Sequence, residues 1–284
     1  MEMPPLTEIF GSYRAWKYDE ATWIISFMEG SEYLYLLEGS ERALLLDAGY
    51  GTNTLRPFVE KLTDKPILLA NTHYHPDHAG GNGEFESVIL HKNWRLDSGS
   101  LRPGPNLPFD ITALPHPDYR RTEVSDGDTI ELGGRTVELM DISAHSNSSL
   151  GFLDRGERMF FCGDELEAGQ VLMYDLSGGT GPAYDLKSRL LAHRENMRRI
   201  LALSDEFDHL FPNHNGTPIA KSYIGDFIAL TDSIFAGGAE IEDELRHRYI
   251  EMDPIAPRLC RVKLGAASFF VEKEPLMEFY GKGA

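Results

Sequence analysis

Cysteine is scarce in this chain of 284 residues: there are two, Cys162 and Cys260, far apart. Two distant thiols imply no disulfide framework, which fits a reducing, cytoplasmic setting. Long apolar runs are missing as well, and none approaches the roughly 20 residues that span a bilayer. The opening residues, Met1-Glu2-Met3-Pro4-Pro5, carry no basic n-region and no apolar h-region, so no signal peptide is expected. Positive charge is in short supply, with 27 Lys and Arg against 45 Asp and Glu, a net charge of −18. A surface that acidic repels polyanions, which argues against nucleic acid and membranes as partners. There is no repeat of fixed period and no low-complexity tract. What remains is 42% hydrophobic and 25% charged. That is the profile of a globular chain long enough to bury a sizeable core.

One stretch organises the rest: Asn71-Thr72-His73-Tyr74-His75-Pro76-Asp77-His78-Ala79-Gly80-Gly81-Asn82. His73, His75, Asp77 and His78 put four potential metal ligands within six residues. A His-rich surface loop explains that density poorly, whereas imidazole and carboxylate together suit zinc, manganese or iron. The apolar run Pro66-Ile67-Leu68-Leu69-Ala70 before it reads as a buried strand, and Gly80-Gly81 after it allows a tight turn. Residues i and i+2 of an extended segment point the same way. His73 and His75 can therefore grip one cation, and Asp77 and His78, past the bend at Pro76, a second.

Around this stretch, residues 22 to 49 read as three strands with turns at Gly30-Ser31 and Gly39-Ser40. Thr52 or Asn53 is placed to cap a helix carrying Leu55, Phe58, Val59 and Leu62. A hairpin is predicted at Gly133-Gly134 and a second through Asp154 and Gly156. Leu186, Leu190, His193, Met197 and Ile200 form one stripe of an amphipathic helix. Another helix is expected through Ile224, Phe227, Ile228 and Ile234, and a strand pair around Gly265. The Pro-rich stretch 97–119 and the Gly-rich stretch 169–184 read as long loops, and the segments Asp97 to Tyr119 and Glu165 to Tyr184 are expected to form the substrate pocket. This order suggests an α/β fold with two sheets stacked between helical layers.

Three more ligands follow apolar runs: His145, Asp164 and His214. With them the chain resembles the metallo-β-lactamase superfamily over roughly residues 20–235, through His73-x-His75-x-Asp77-His78, then His145, Asp164 and His214. The resemblance implies a four-layer αββα sandwich of two mixed sheets between helices. It implies a single domain over 1–284, with its core at about 20–235 and a C-terminal extension, 236–284. One metal would be held by His73, His75 and His145, and the second by Asp77, His78 and His214, with Asp164 bridging both. Two cations about 3.5–4 Å apart need such a shared anion, and they hold a hydroxide between them at neutral pH. His75, where a Glu would stand, separates the chain from the oxygen-reducing di-iron branch. Relatives that cleave thioesters often carry Gly before the second-motif His and Thr-Pro-Gly after it. Here Ala144 precedes His145 and Ser146-Asn147-Ser148-Ser149 follows.

The expectation is a dinuclear metal-dependent hydrolase, using a metal-bridging hydroxide on a small ester, thioester, lactone or β-lactam. Zinc is the first choice of metal, with iron and manganese as alternatives. Asp77 or a metal-bound water is the candidate for proton handling, and Tyr74, Tyr174 and His116 are candidates for substrate contact. A phosphodiesterase or nuclease, an iron-dependent oxidoreductase and a non-catalytic metal-binding module are the competing readings. His91 and His193 read as structural, and Cys162 as a buried thiol. The partner is a small molecule, and the oligomeric state is left open.

Overall fold

The apolar runs become strands that are buried on both faces. The computed structural model describes residues 6–27, 32–51, 54–101, 119–177, 180–242 and 256–280. Its first sheet has eight strands in sequence order: β1 (Glu8–Phe10), β2 (Tyr13–Lys17), β3 (Thr22–Phe27), β4 (Glu32–Glu38), β5 (Ala43–Leu46), β6 (Ile67–Ala70), β7 (Ser87–His91) and β8 (Arg120–Val124). The first five pair antiparallel, and β5 to β8 run parallel. Next come β9 (Thr129–Glu131), β10 (Thr136–Asp141), β11 (Leu150–Asp154), β12 (Met159–Gly163), β13 (Val171–Leu172) and β14 (His209–Pro212). The second sheet runs β14-β12-β11-β10-β9, with β14 parallel to β12. β15 (Glu240–Glu242), β16 (Leu259–Leu264) and β17 (Ala267–Glu272) join β13 in a third sheet, ordered β13-β17-β16-β15. The helices are α1 (Leu55–Leu62), α2 (Pro76–Ala79), α3 (Leu186–Ala202), α4 (Ser222–Phe235) and α5 (Lys273–Met277).

Period-two alternation sorts the side chains into layers. Ile24, Leu44, Leu46, Phe152, Met159 and Phe161 pack between the two large sheets. The alternate residues Ile25, Ala43 and Leu45 pack on Leu55, Phe58, Val59 and Leu62 of α1. On the far side of the second sheet, Phe160 and Cys162 meet Leu190 and Met197 of α3 and Phe227 of α4. The layers are therefore helix, sheet, sheet, helix, the expected sandwich. Each fully buried Leu, Ile or Phe in them contributes about 1.5–3 kcal/mol. Arg135 ties the sheets together, donating to Asp154 at 2.6 Å and to the Ala21 carbonyl at 2.7 Å.

Several local expectations change. β1 and β2 precede the first anticipated strand, and the stretch 169–184 contains β13. The stretch 97–119 is entered by a 3-10 segment, Trp94–Leu101. Its remainder, 102–118, lies outside the described residues, as do Thr52 and Asn53, and Thr54 occupies the cap position of α1. Gly133 and Gly134, with φ of 88° and 73°, make the expected hairpin turn.

Candidate metal centre

Four strand ends meet at one edge of the sheet pair. His73 and His75 follow β6, His145 follows β10, Asp164 follows β12 and His214 follows β14, while α2 supplies Asp77 and His78. Glycine is needed at two of the turns. A Cβ on Gly81 would sit 2.1 Å from the Ala48 carbonyl oxygen, so only glycine lets the chain after α2 press against the end of β5. Gly163 has φ of 56°, and a Cβ there would stand 3.0 Å from Thr72. That close approach brings Asp164 to the His73 loop.

The seven side chains form two groups. His73, His75 and His145 each offer one donor atom, and these lie within 4.8 Å of one another. Asp77, His78, Asp164 and His214 do the same. Asp164 joins the groups. Its Oδ2 lies 3.3 Å from His78 Nε2, 3.4 Å from His214 Nε2 and 3.8 Å from both His73 Nε2 and His145 Nε2. His73 Nε2 and Asp164 Oδ1 are buried with no hydrogen-bond partner. A buried polar atom left unsatisfied costs about 1–3 kcal/mol, so these inward-facing atoms fit a divalent metal better than they fit each other.

Hydrogen bonds on the outer side set which ring nitrogen faces in. His78 Nδ1 donates to Asp47 at 3.0 Å, and Asp47 also accepts from the Thr72 amide and hydroxyl, both at 2.7 Å. Since the Thr72 hydroxyl donates to Asp47, it accepts from His73 Nδ1 at 3.1 Å. His145 Nδ1 donates to the Leu172 carbonyl at 2.8 Å. In each case Nε2 is left for the centre. For His75 the inward atom is Nδ1, 3.1 Å from His145 Nε2.

The two groups differ electrostatically. Burial holds His73 well below the usual imidazole range and lowers His75 and His145 to about 4, so these three rings are neutral. Burial also opposes charge on His78, but Asp164, Asp77 and Asp47 outweigh it and raise its pKa. His214 is raised in the same way by Asp164 and Asp77. Burial pushes Asp77 up, yet the charges of His78 and His214 win and hold it at about 2. One half is thus a neutral tri-imidazole cup, and the other carries the carboxylates.

The remaining candidates lie elsewhere. Tyr74 is 4% exposed, packs in the core under α1 and shares a hydrogen bond with the Tyr119 hydroxyl at 2.7 Å. It therefore points away from the centre, a correction to its expected place at the substrate. Its neighbours His73 and His75 face inward, so alternation turns Tyr74 outward. Tyr174 is buried beside Leu259 and Phe270 in a small apolar cluster. His116 lies outside the described residues. His91 Nε2 donates to Asp141 at 3.2 Å, and His193 Nε2 to the Glu165 carbonyl at 2.8 Å. Cys162 Sγ donates to the Leu166 carbonyl, so its thiol is structural. Asp47, Glu165 and Asp97 were not anticipated. Asp47 had one visible signal, an acidic residue ending the wholly apolar β5.

A model of the metallo-beta-lactamase superfamily matches residues 28–207. The chain is 28% identical over 166 residues to acyl-coenzyme A thioesterase MBLAC2 of Gallus gallus, covering 49% of this chain and 59% of that protein. It is 32% identical over 136 residues to hydroxyacylglutathione hydrolase of Hyphomonas neptunium, covering 48% of this chain and 47% of the relative. The chain thus spans about half to three fifths of these relatives. A metallo-β-lactamase structure from Erythrobacter litoralis, with β-mercaptoethanol in its active site, superposes with a TM-score of 0.58 at 14% identity. That match covers 81% of this chain and all of the other, and it speaks for the fold. On the family match over most of the length that carries the metal motif, the chain belongs to the metallo-β-lactamase superfamily.

Proposed function

We propose that this protein is a dinuclear metal-dependent hydrolase acting on small thioesters, with esters, lactones and β-lactams as the neighbouring substrate classes. The observation that carries the two-metal reading is Asp164 Oδ2, which lies within 3.8 Å of ring nitrogens from both groups. His73, His75 and His145 would hold one metal, and Asp77, His78 and His214 the other, with Asp164 between them. Metals bound there supply Lewis acidity toward a carbonyl oxygen and a water ionised near neutral pH.

The chain's own residues do the rest. Asp47 and Thr72 hold His73 and His78 with Nε2 inward. Each ring of the neutral tri-imidazole cup keeps its inward nitrogen free of a proton, as a metal ligand must. Asp77, kept ionised by His78 and His214, is the group proposed to take up a proton. Thioesters rank first because two sets of relatives are named for them, acyl-coenzyme A thioesterase and hydroxyacylglutathione hydrolase. The donor set favours zinc, with iron or manganese as alternatives.

The cytoplasmic setting and the single domain are parts of the same proposal. Cys162 and Cys260 are both buried and form no disulfide, which supports the first. No helix among the described residues is long and apolar enough to cross a membrane. The single domain is supported by β13, from the central part of the chain, pairing with β17 near its end. Metal analysis of protein purified without added metal, followed by rates on thioester, ester, lactone, β-lactam and phosphodiester panels, tests the proposal. Two metals per chain with fastest turnover of a thioester is the expected result. Faster phosphodiester cleavage would overturn it.

A further inference from the structure

We infer that Asp97 is a positioning residue for the His145 half of the centre, gripping from outside the turn that carries this imidazole. The inference rests on the two-metal reading above. Asp97 is 1% exposed within the 3-10 segment Trp94–Leu101. Its Oδ1 accepts from the Asn147 side-chain amide at 2.7 Å and from the Asn147 backbone amide at 3.3 Å. Its Oδ2 accepts from the Ser148 hydroxyl at 2.6 Å. The same Asn147 is held from the opposite side, where Arg189 of α3 donates to its Oδ1 at 2.6 Å and to the Ala144 carbonyl at 2.9 Å. Glu165 closes the ring, accepting from the backbone amides of Ala144 and His145 at 3.2 and 2.8 Å.

The turn around His145 is therefore clamped between the first sheet's 3-10 segment, α3 and the chain just past Asp164. Asp97 is the part of this clamp that reaches across from the first sheet. None of these side-chain bonds reaches Asp77, His78 or His214. By contrast, Asp47 serves both halves, His78 directly and His73 through Thr72. Removing Asp97 strips acceptors from a half-buried amide and a buried hydroxyl, and the turn must shift to satisfy them. His145 Nε2 moves with the turn, and only one metal position depends on that atom. Loss of an outer partner of a metal-ligating histidine weakens binding by about 10–100-fold.

Chelator competition against zinc-loaded protein, following the two zinc ions separately, tests this. His145→Ala identifies the step that belongs to the tri-imidazole cup. Asp97→Ala is expected to weaken that same step by about 10–100-fold and to leave the other unchanged. Asp97→Asn, which keeps one acceptor oxygen, is expected to fall between it and the wild type. Asn147→Ala provides a second route to the same selective loss should Asp97→Ala fail to fold. Two unchanged steps in a folded Asp97→Ala protein would overturn the inference, as would equal weakening of both. A wild type that binds a single zinc would overturn the two-metal reading instead. Asp97 is then judged on whether its loss weakens that one zinc as His145→Ala does.

Discussion

Asp47 accepts the Nδ1 proton of His78 at 3.0 Å, and both side chains are completely buried. Asp47 also takes the Thr72 hydroxyl and an Asn213 side-chain amide, so one carboxylate organises ligands for both metal positions. Its backbone sits at φ of 68°, a region that non-glycine residues enter rarely and at a cost. Asp47→Ala leaves at least three buried donors without an acceptor. It is expected to destabilise the fold by about 3 kcal/mol or more and to weaken both zinc steps. Urea unfolding and chelator competition read the two effects. An unaltered pair of zinc affinities would show that the orientation of His78 and His73 is fixed elsewhere.

Asp164→Ala removes the oxygen that lies between the two groups. Hydrolysis is expected to fall by about 100-fold or more, with metal content dropping from two per chain toward one. The fold should persist, because Asp164 follows the end of β12 and does not belong to the core clusters. Metal content and circular dichroism, taken beside the rate, check this. A variant with two tightly bound metals and a normal rate would place the bridge on another residue.

Chelation should lower the unfolding temperature. A metal at 100 times its dissociation constant stabilises by about 2.7 kcal/mol. For a chain of this size that is roughly 5–10 °C. Thermal scans with and without chelator measure it, and identical midpoints would contradict tight binding at the described centre.

His193 gives a pH test outside the metal ligands. Burial lowers its pKa from 6.5 to about 4, and its neighbours are Phe227, Phe269 and the Glu165 carbonyl. The folded protein keeps it neutral while the unfolded chain takes up its proton below about 6.5. Its depressed pKa therefore subtracts stability as pH falls from about 6.5 to about 4, by up to about 3 kcal/mol, and then no further. In metal-free protein, His193→Gln is expected to lose stability at pH 7 and to regain ground on the wild type as pH falls through this window. Urea titrations at several pH values give the difference directly. A wild type-to-variant gap that stays constant with pH would refute it.

The cluster of candidate ligands and most of the fold were legible because each leaves a spacing. His73, His75, Asp77 and His78 crowd one turn, the α3 stripe steps by four and three, and Gly133-Gly134 marks its hairpin. Asp97, Glu165 and Asp47 were not legible, because a lone buried carboxylate has no period and its partners lie far away in sequence. β13 escaped because two residues carry no alternation. Tyr74 was misplaced although the needed rule was already in use, since facing His73 and His75 inward obliges the residue between them to face out.

The pairing of β13 with β17 has a consequence for the order in which the centre is completed. Leu172 of β13 supplies the carbonyl that fixes His145 Nδ1, and Leu172 is in register with Phe270 of β17. During synthesis the amino-terminal part of a chain emerges and folds first. All seven candidate ligands have therefore left the ribosome before the strand that steadies the Leu172 carbonyl exists. A nascent chain can gather its histidines early. It can lock the His145 ring only after β17 has docked.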